Sequence, residues 1–244
     1  MATKLSVNVN KIALLRNSRG RNYPDVLAFA RRCLELGADG ITLHPRQDQR
    51  HARYSDVAEL KKVCDEYQAE LNVEGYPSEE FLQCVIQARP TQCTLVPDAP
   101  GQLTSDHGWD VANEAQGLTS VLARLRTAGI RSSLFLDVDY PHLEAIVNVG
   151  ADRVELYTEP YAESFGTEHA QSVRDSFADT AKKVNALGLT INAGHDLNLD
   201  NLAYFLEIPN ILEVSIGHAL VVECIEFGME EVFKRYAAII SGSR

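Results

Sequence analysis

Short β-rich runs alternate with amphipathic stretches of about a dozen residues along the whole chain, the pattern of repeated βα units around a parallel sheet. Eight such runs stand out: Leu5–Asn10, Gly40–His44, Glu70–Glu74, Gln92–Val96, Ser132–Asp137, Arg153–Tyr157, Thr190–Gly194 and Leu212–Ile216. Gly37, Gly129, Gly150 and Gly188 each fall between a helical pattern and the next strand, where a left-handed helix-ending residue belongs. Eight βα units in 244 residues fit a closed (β/α)₈ TIM barrel better than an open doubly wound sheet. No Pro-, Gly- or Ser-rich linker divides the chain, so the expectation is one α/β barrel domain over residues 1–244.

Within the strands, polar residues keep a single parity. Leu71 and Val73 alternate with Asn72 and Glu74, Ile41 and Leu43 with Thr42 and His44, and Val7 and Val9 with Ser6, Asn8 and Asn10. Val154 and Leu156 alternate with Glu155 and Tyr157, and Leu212, Val214 and Ile216 with Glu213, Ser215 and Gly217. A parallel strand covered on both faces ordinarily reads as continuous aliphatic sequence. In a barrel the apolar set packs on the helices, so the polar set points inward, where it makes sense if the upper layer opens onto a ligand. An antiparallel sheet with one wet face gives the same alternation, but the long helical connections speak against it.

Composition narrows the partners. The chain has 23 basic and 34 acidic residues, a net charge of −11, with 45% apolar residues. That excess of acid argues against a general nucleic-acid surface, so an anionic ligand has to be held by local arginines, helix N-termini or backbone N–H groups. No apolar stretch approaches the ~20 residues of a membrane span, and Met-Ala-Thr-Lys-Leu leads directly into a strand-like run; the expectation is a cytoplasmic protein. Cys33, Cys64, Cys84, Cys93 and Cys224 are odd in number and widely spaced, which reads as buried thiols rather than disulfides or a zinc site.

Four of the seven histidines, His44, His51, His195 and His218, lie at or just past the C-terminal end of an expected strand, the active face of a barrel. Glu74 ends the third strand on the inward parity and is the candidate carboxylate for acid–base work with them. Arg16 and Arg19 follow the first strand and Arg46 and Arg50 the second; planar bidentate donors suit phosphate or carboxylate. Asn192-Ala193-Gly194-His195 and Ile216-Gly217-His218-Ala219 close the last two strands, where barrels commonly form a phosphate site. Lys11 is a conceivable Schiff-base lysine at the mouth, although strand parity turns it away unless the strand has ended. The stretches 97–110 and 157–169 read as long loops, the first a candidate lid. There is no His-x-His, no Gly-x-Gly-x-x-Gly after the first strand and no Gly-x-Ser-x-Gly, which disfavours a zinc hydrolase.

Taken together these motifs resemble the pyridoxine 5′-phosphate synthase family over essentially the whole chain. The resemblance is carried by Val7-Asn8-Val9-Asn10-Lys11-Ile12-Ala13 with Leu15 to Gly20, by Gly37 to Arg46 continuing through Asp48, Arg50 and His51, by Leu71-Asn72-Val73-Glu74, by Leu95-Val96-Pro97, and by the two closing blocks above. It implies condensation of 1-deoxy-D-xylulose 5-phosphate with 3-amino-2-oxopropyl phosphate, releasing phosphate and water, without metal or organic cofactor, in a cytoplasmic homo-octamer. By the same resemblance His44 and Glu74 are proton acceptors and His195 a proton donor. Arg46, His51 and Thr104 hold the sugar phosphate, with Asn10 and Lys11 beside it, and Asn8, Arg19, Gly217 and His218 hold the amino-ketone phosphate, with Asp196 near it. The chain departs from the common family pattern at Asn10-Lys11 (Asp-His), at Asp196 (Gly) and at Glu159 (Gly). These departures keep two other readings open: a barrel that binds a phosphorylated ligand without closing the ring, and another metal-free aldolase or isomerase.

Overall fold

The computed structural model describes residues 2–98, 101–102 and 104–242. In chain order it runs β1 (Lys4–Asn8), α1 (Asn10–Asn17), α2 (Val26–Glu35), β2 (Gly40–Leu43), α3 (Tyr54–Glu66), β3 (Glu70–Gly75), α4 (Glu79–Ala88), β4 (Gln92–Leu95), α5 (Val111–Thr127) and β5 (Arg131–Leu136). It continues with α6 (Leu143–Val149), β6 (Arg153–Tyr157), α7 (Glu159–Ser164), α8 (Ala170–Ala186), β7 (Thr190–Gly194), α9 (Leu202–Phe205), β8 (Ile211–Ile216), α10 (His218–Phe227) and α11 (Met229–Ile240). The eight strands pair in parallel and in sequence order, and β8 returns to β1, so the sheet is the expected closed barrel.

Two local expectations are corrected. The first strand stops at Asn8 rather than Asn10, because Val9 turns the chain directly into α1; Asn10 and Lys11 are therefore the first residues of a helix. The stretch 157–169 is not a plain loop: Tyr157 ends β6, and a short helix with Pro160 in its first turn occupies 159–164. Of the expected lid, Ala99, Pro100 and Leu103 lie outside the described residues.

The helix ends follow from side chains the sequence supplies. Asp25 accepts from the N–H groups of Leu27 and Ala28 at the start of α2, Ser78 from Phe81 at α4, and Asp110 from Asn113 at α5. At the other ends Gly37, Gly129, Gly150 and Gly188 all take positive φ, as expected of residues that stop a helix. The outward strand residues Val7, Ile41, Leu71, Val73, Val154, Ile191 and Val214 are fully buried beneath the helix layer. Each such aliphatic contributes roughly 1.5–3 kcal/mol by leaving water. All five cysteines are free thiols, and Cys33, Cys64 and Cys93 are buried.

The interior of the cylinder is polar, as the strand parity requires. Lys4, Glu70 and Arg131 form an ion-paired floor, and Arg131 and Arg153 both donate to Gln92 Oε1. Above them Ser6 and Thr42 share a hydrogen bond of 2.6 Å, Asn72 Nδ2 reaches the Thr42 hydroxyl at 3.5 Å, and the Thr94 hydroxyl lies 3.0 Å from Asn72 Oδ1. Buried amides and hydroxyls persist at such positions only with partners, and this mutually bonded layer replaces the aliphatic layers that usually fill such barrels.

Candidate active site

The top layer of the cylinder opens into a cavity of about 560 Å³ at the C-terminal ends of the strands. That is within the ~300–1,000 Å³ typical of small-ligand sites. Twelve of the thirteen residues singled out from the sequence line it: Asn8, Asn10, Lys11, His44, Arg46, His51, Glu74, Thr104, His195, Asp196, Gly217 and His218. Arg19 does not; it sits exposed just beyond α1. Arg16 is spent on structure, since its guanidinium is buried and grips both Asp56 carboxylate oxygens at 2.7 and 2.9 Å.

Asn10 brackets two elements. Its N–H donates to Asn8 Oδ1 at 3.0 Å, while its own Oδ1 accepts from the His44 N–H at 2.9 Å, which ties the start of α1 to the end of β2. The early end of β1 is what brings Lys11 to the cavity wall, the condition under which its parity no longer turns it away. Arg16 and Asn17 then hold the following loop, donating to the His51 carbonyl at 3.2 and 2.7 Å.

Three groups at the mouth are candidates for acid–base chemistry. The His44 imidazole is buried, with Nδ1 3.9 Å from Glu74 Oε2 and Nε2 3.6 Å from Asp98 Oδ2. Burial, then the Arg46 guanidinium, the neighbouring His51 ring and Arg50, hold it well below the usual imidazole range, so it is neutral and able to accept a proton. Glu74, 12% exposed, is pushed well above the carboxylate range by burial first and then by Glu155, Asp98 and Glu213. A carboxylate so placed is a strong base once ionised. Across the cavity His195 Nε2 lies 3.0 Å from the Thr104 hydroxyl, and its Nδ1 lies 2.8 Å from Asp196 Oδ2.

His51 shows which nitrogen it offers. Its Nδ1 accepts from the Ala52 N–H at 3.0 Å, and burial with Arg46 and Arg50 nearby lowers its pKa to about 4. A neutral ring whose Nδ1 is an acceptor carries its proton on Nε2, a donor suited to a phosphate oxygen. Arg46 is the neighbouring cation, with Nη2 2.7 Å from Asp98 Oδ2 and Nη1 donating to the Gln102 carbonyl at 2.9 Å. On the other side of β1, after β8, α10 begins at His218, directly after Gly217, so a helix N-terminus, where backbone N–H groups lack intrahelical acceptors, faces the same space.

Several contributors were not singled out from the sequence. Asp98 joins Arg46, His44 and the Ser105 hydroxyl, which donates to Oδ2 at 2.9 Å; the signal available was its place just past the end of β4. Glu155 lies in the cavity floor on the same inward parity in β6 that picked out Glu74 in β3. Burial and then Glu213 raise it to about 8, and the Thr94 hydroxyl faces two acceptors, Asn72 Oδ1 at 3.0 Å and Glu155 Oε2 at 3.3 Å. Val96, Phe135 and Tyr157 form a separate apolar cluster on the inner wall, with the Tyr157 ring edge-on to His195 at 5.1 Å. The apolar wall and the polar rim together suit a small ligand with an organic body and charged ends.

Comparison with known proteins agrees with this geometry. By structure the chain resembles 3-hexulose-6-phosphate synthase (TM-score 0.66, 11% identity, 97% of this chain and 99% of the other). It also resembles thiamine phosphate pyrophosphorylase from Pyrococcus furiosus (TM-score 0.64, 14% identity, 98% and 96%). At that identity these two speak for the fold alone. By sequence it is 49% identical over 235 residues to the pyridoxine 5′-phosphate synthase of Porphyromonas gingivalis, covering 96% of this chain and 97% of the relative. It is 50% identical over 250 residues to that of Xanthomonas campestris pv. campestris, covering 99% and 98%. Residues 5–242 match the family model described as pyridoxal phosphate biosynthesis protein PdxJ. A match running from the first strand to the last helix, over a barrel whose mouth gathers these histidines, carboxylates and anion-binding groups, means that the chain belongs to the PdxJ family.

Proposed function

We propose that this barrel is a pyridoxine 5′-phosphate synthase, condensing 1-deoxy-D-xylulose 5-phosphate with 3-amino-2-oxopropyl phosphate to give pyridoxine 5′-phosphate, inorganic phosphate and water. The observation that carries the reading is one cavity lined by two sets of anion-binding donors, Arg46 with His51 and the N-terminus of α10, together with His44, Glu74 and His195. Joining an amine to a ketone and closing a ring requires serial proton transfers at carbon, nitrogen and oxygen. Neutral His44 and basic Glu74 take protons, and His195 returns them to departing oxygen. His51 Nε2–H, the Arg46 guanidinium and Thr104 bind the sugar phosphate, with Asn10 and Lys11 beside it. Asn8, Gly217 and His218 bind the amino-ketone phosphate. Arg19 enters this reading through the family resemblance alone.

The reading includes one barrel domain working in a cytoplasmic homo-octamer. Self-association is supported by exposed apolar side chains on two touching helices, Leu14 and Leu15 of α1 with Val222, Ile225 and Phe227 of α10. Among the described residues no helix is long and apolar enough to cross a membrane. The direct test is incubation of purified protein with both phosphorylated substrates. Pyridoxine 5′-phosphate should accumulate, and none above a heat-killed control overturns the reading.

A further inference from the structure

His195 and Asp196 are adjacent residues that both adopt left-handed backbone, φ +97° and +56°, a conformation unusual for side chains other than glycine. This strained pair bends the chain back at the end of β7, and the Thr158 hydroxyl holds it by donating to the His195 carbonyl at 2.5 Å. The result is that two neighbouring side chains meet, with His195 Nδ1 2.8 Å from Asp196 Oδ2. The carboxylate is therefore turned to the imidazole.

We propose that Asp196 is a positioning residue for His195: it holds the ring with the proton on Nδ1 and aims Nε2 at Thr104 and the cavity. A carboxylate has only acceptors, so the Nδ1 facing it must carry the hydrogen. The Thr104 hydroxyl, 3.0 Å from Nε2, then donates to the neutral ring and accepts from the charged one. Proton donation from His195 thereby leaves through Nε2, while Nδ1 keeps its hydrogen on Asp196. The hydrogen bond from His195 also keeps the Asp196 carboxyl below its usual range. The charged neighbours are Lys11 of α1, His218 of α10 and Glu159 of α7. Two of the chain's departures from the common family pattern, Lys11 and Asp196, thus sit within electrostatic reach with opposite charge.

This inference rests on the functional reading for its kinetic arm only. The test compares the wild type with Asp196→Asn, whose amide can donate to Nδ1 and reverse the tautomer, and with Asp196→Gly, which suits the positive φ. The ¹⁵N resonances of the His195 ring, assigned by their loss in His195→Asn, should report protonated Nδ1 in the wild type and a shift toward protonated Nε2 in Asp196→Asn. Turnover should fall ~10- to 100-fold in both variants, with KM for each substrate within about threefold. Unchanged ring resonances in Asp196→Asn, or undiminished turnover in an active preparation of either variant, overturns the proposal. A wild type without activity but with the expected ring signals overturns only the assigned reaction.

Discussion

A Cβ on Gly194 would lie 2.5 Å from Glu155 Oε1 and 3.4 Å from Ser215 Cβ, so the bare backbone at the end of β7 is what leaves room for a buried carboxyl in the cavity floor. Gly194→Ala should therefore push Glu155 upward into the cavity. We expect a loss of roughly 1–3 kcal/mol in urea unfolding, as for other overpacked interiors. The loss should shrink in the double variant with Glu155→Ala, because the two side chains compete for one volume. Additive losses in the double-mutant cycle would show that the contact is not the cause.

Glu155 also sets a pH dependence. Its folded pKa of about 8 exceeds its ordinary 4.5, so between those values the folded protein keeps a proton that the unfolded chain has released. Stability from this group is full below the unfolded value and lost as pH rises through the folded one. Glu155→Gln should be close to the wild type in stability at pH 4.5 and more stable by roughly 4 kcal/mol at pH 8. Denaturant midpoints across that range supply the check, and a difference that is flat with pH contradicts it.

Glu74→Gln and His195→Asn should each lower turnover ~10²- to 10⁴-fold while moving the melting temperature little, because their task is proton transfer rather than packing. Thermal unfolding beside steady-state rates separates the two. A large drop in melting temperature with unchanged activity per folded molecule would contradict the assignment.

Asp98 ties Arg46, His44 and Ser105 together, and one of its carboxylate oxygens, Oδ1, is buried without a hydrogen-bond partner among the described residues. Asp98→Asn weakens the charge-assisted hold on the guanidinium, which then samples other positions. We expect KM for the sugar phosphate to rise ~10-fold with a smaller fall in turnover, and KM for the amino-ketone phosphate to stay near its original value. Equal rises in both constants would show that Asp98 supports the cavity as a whole.

Arg46→Lys replaces a planar fork with a single ammonium that cannot meet Asp98, the Gln102 carbonyl and a phosphate at once. Affinity for inorganic phosphate, read by calorimetry, should fall about tenfold or more, with the barrel's circular dichroism unchanged. Retained phosphate affinity would assign that corner to other donors.

Much of this molecule was legible from residue order. Strand parity put Ser6, Thr42, Asn72, Glu74 and Glu155 inside the cylinder, and parity is local: successive side chains on a strand point to opposite faces wherever the strand ends up. The same logic located His44, His195 and His218 at the working rim. It failed at Asn10 and Lys11, where the run of alternating residues continues past Val9 but the backbone has already turned into a helix. Periodicity does not report the residue at which hydrogen bonding changes partner.

What the linear order determined, then, was the eight βα units, the inward polar set and the chemical types at the strand ends, because each depends on short-range period and residue identity. Only the closed sheet decided which of these groups meet. Residues far apart in the chain become neighbours because β6 pairs with β7, which sets Glu155 against Gly194, and because the rim curls into a ring that brings His44 to Asp98 and Thr104 to His195. Depth inside that ring then decides their charge, since removing a carboxyl or an imidazole from water and surrounding it with other ionisable groups shifts its proton affinity. That is why the carboxyls of Glu74 and Glu155 are pushed above their ordinary range and the His44 imidazole below its own, shifts that no residue shows when read one by one.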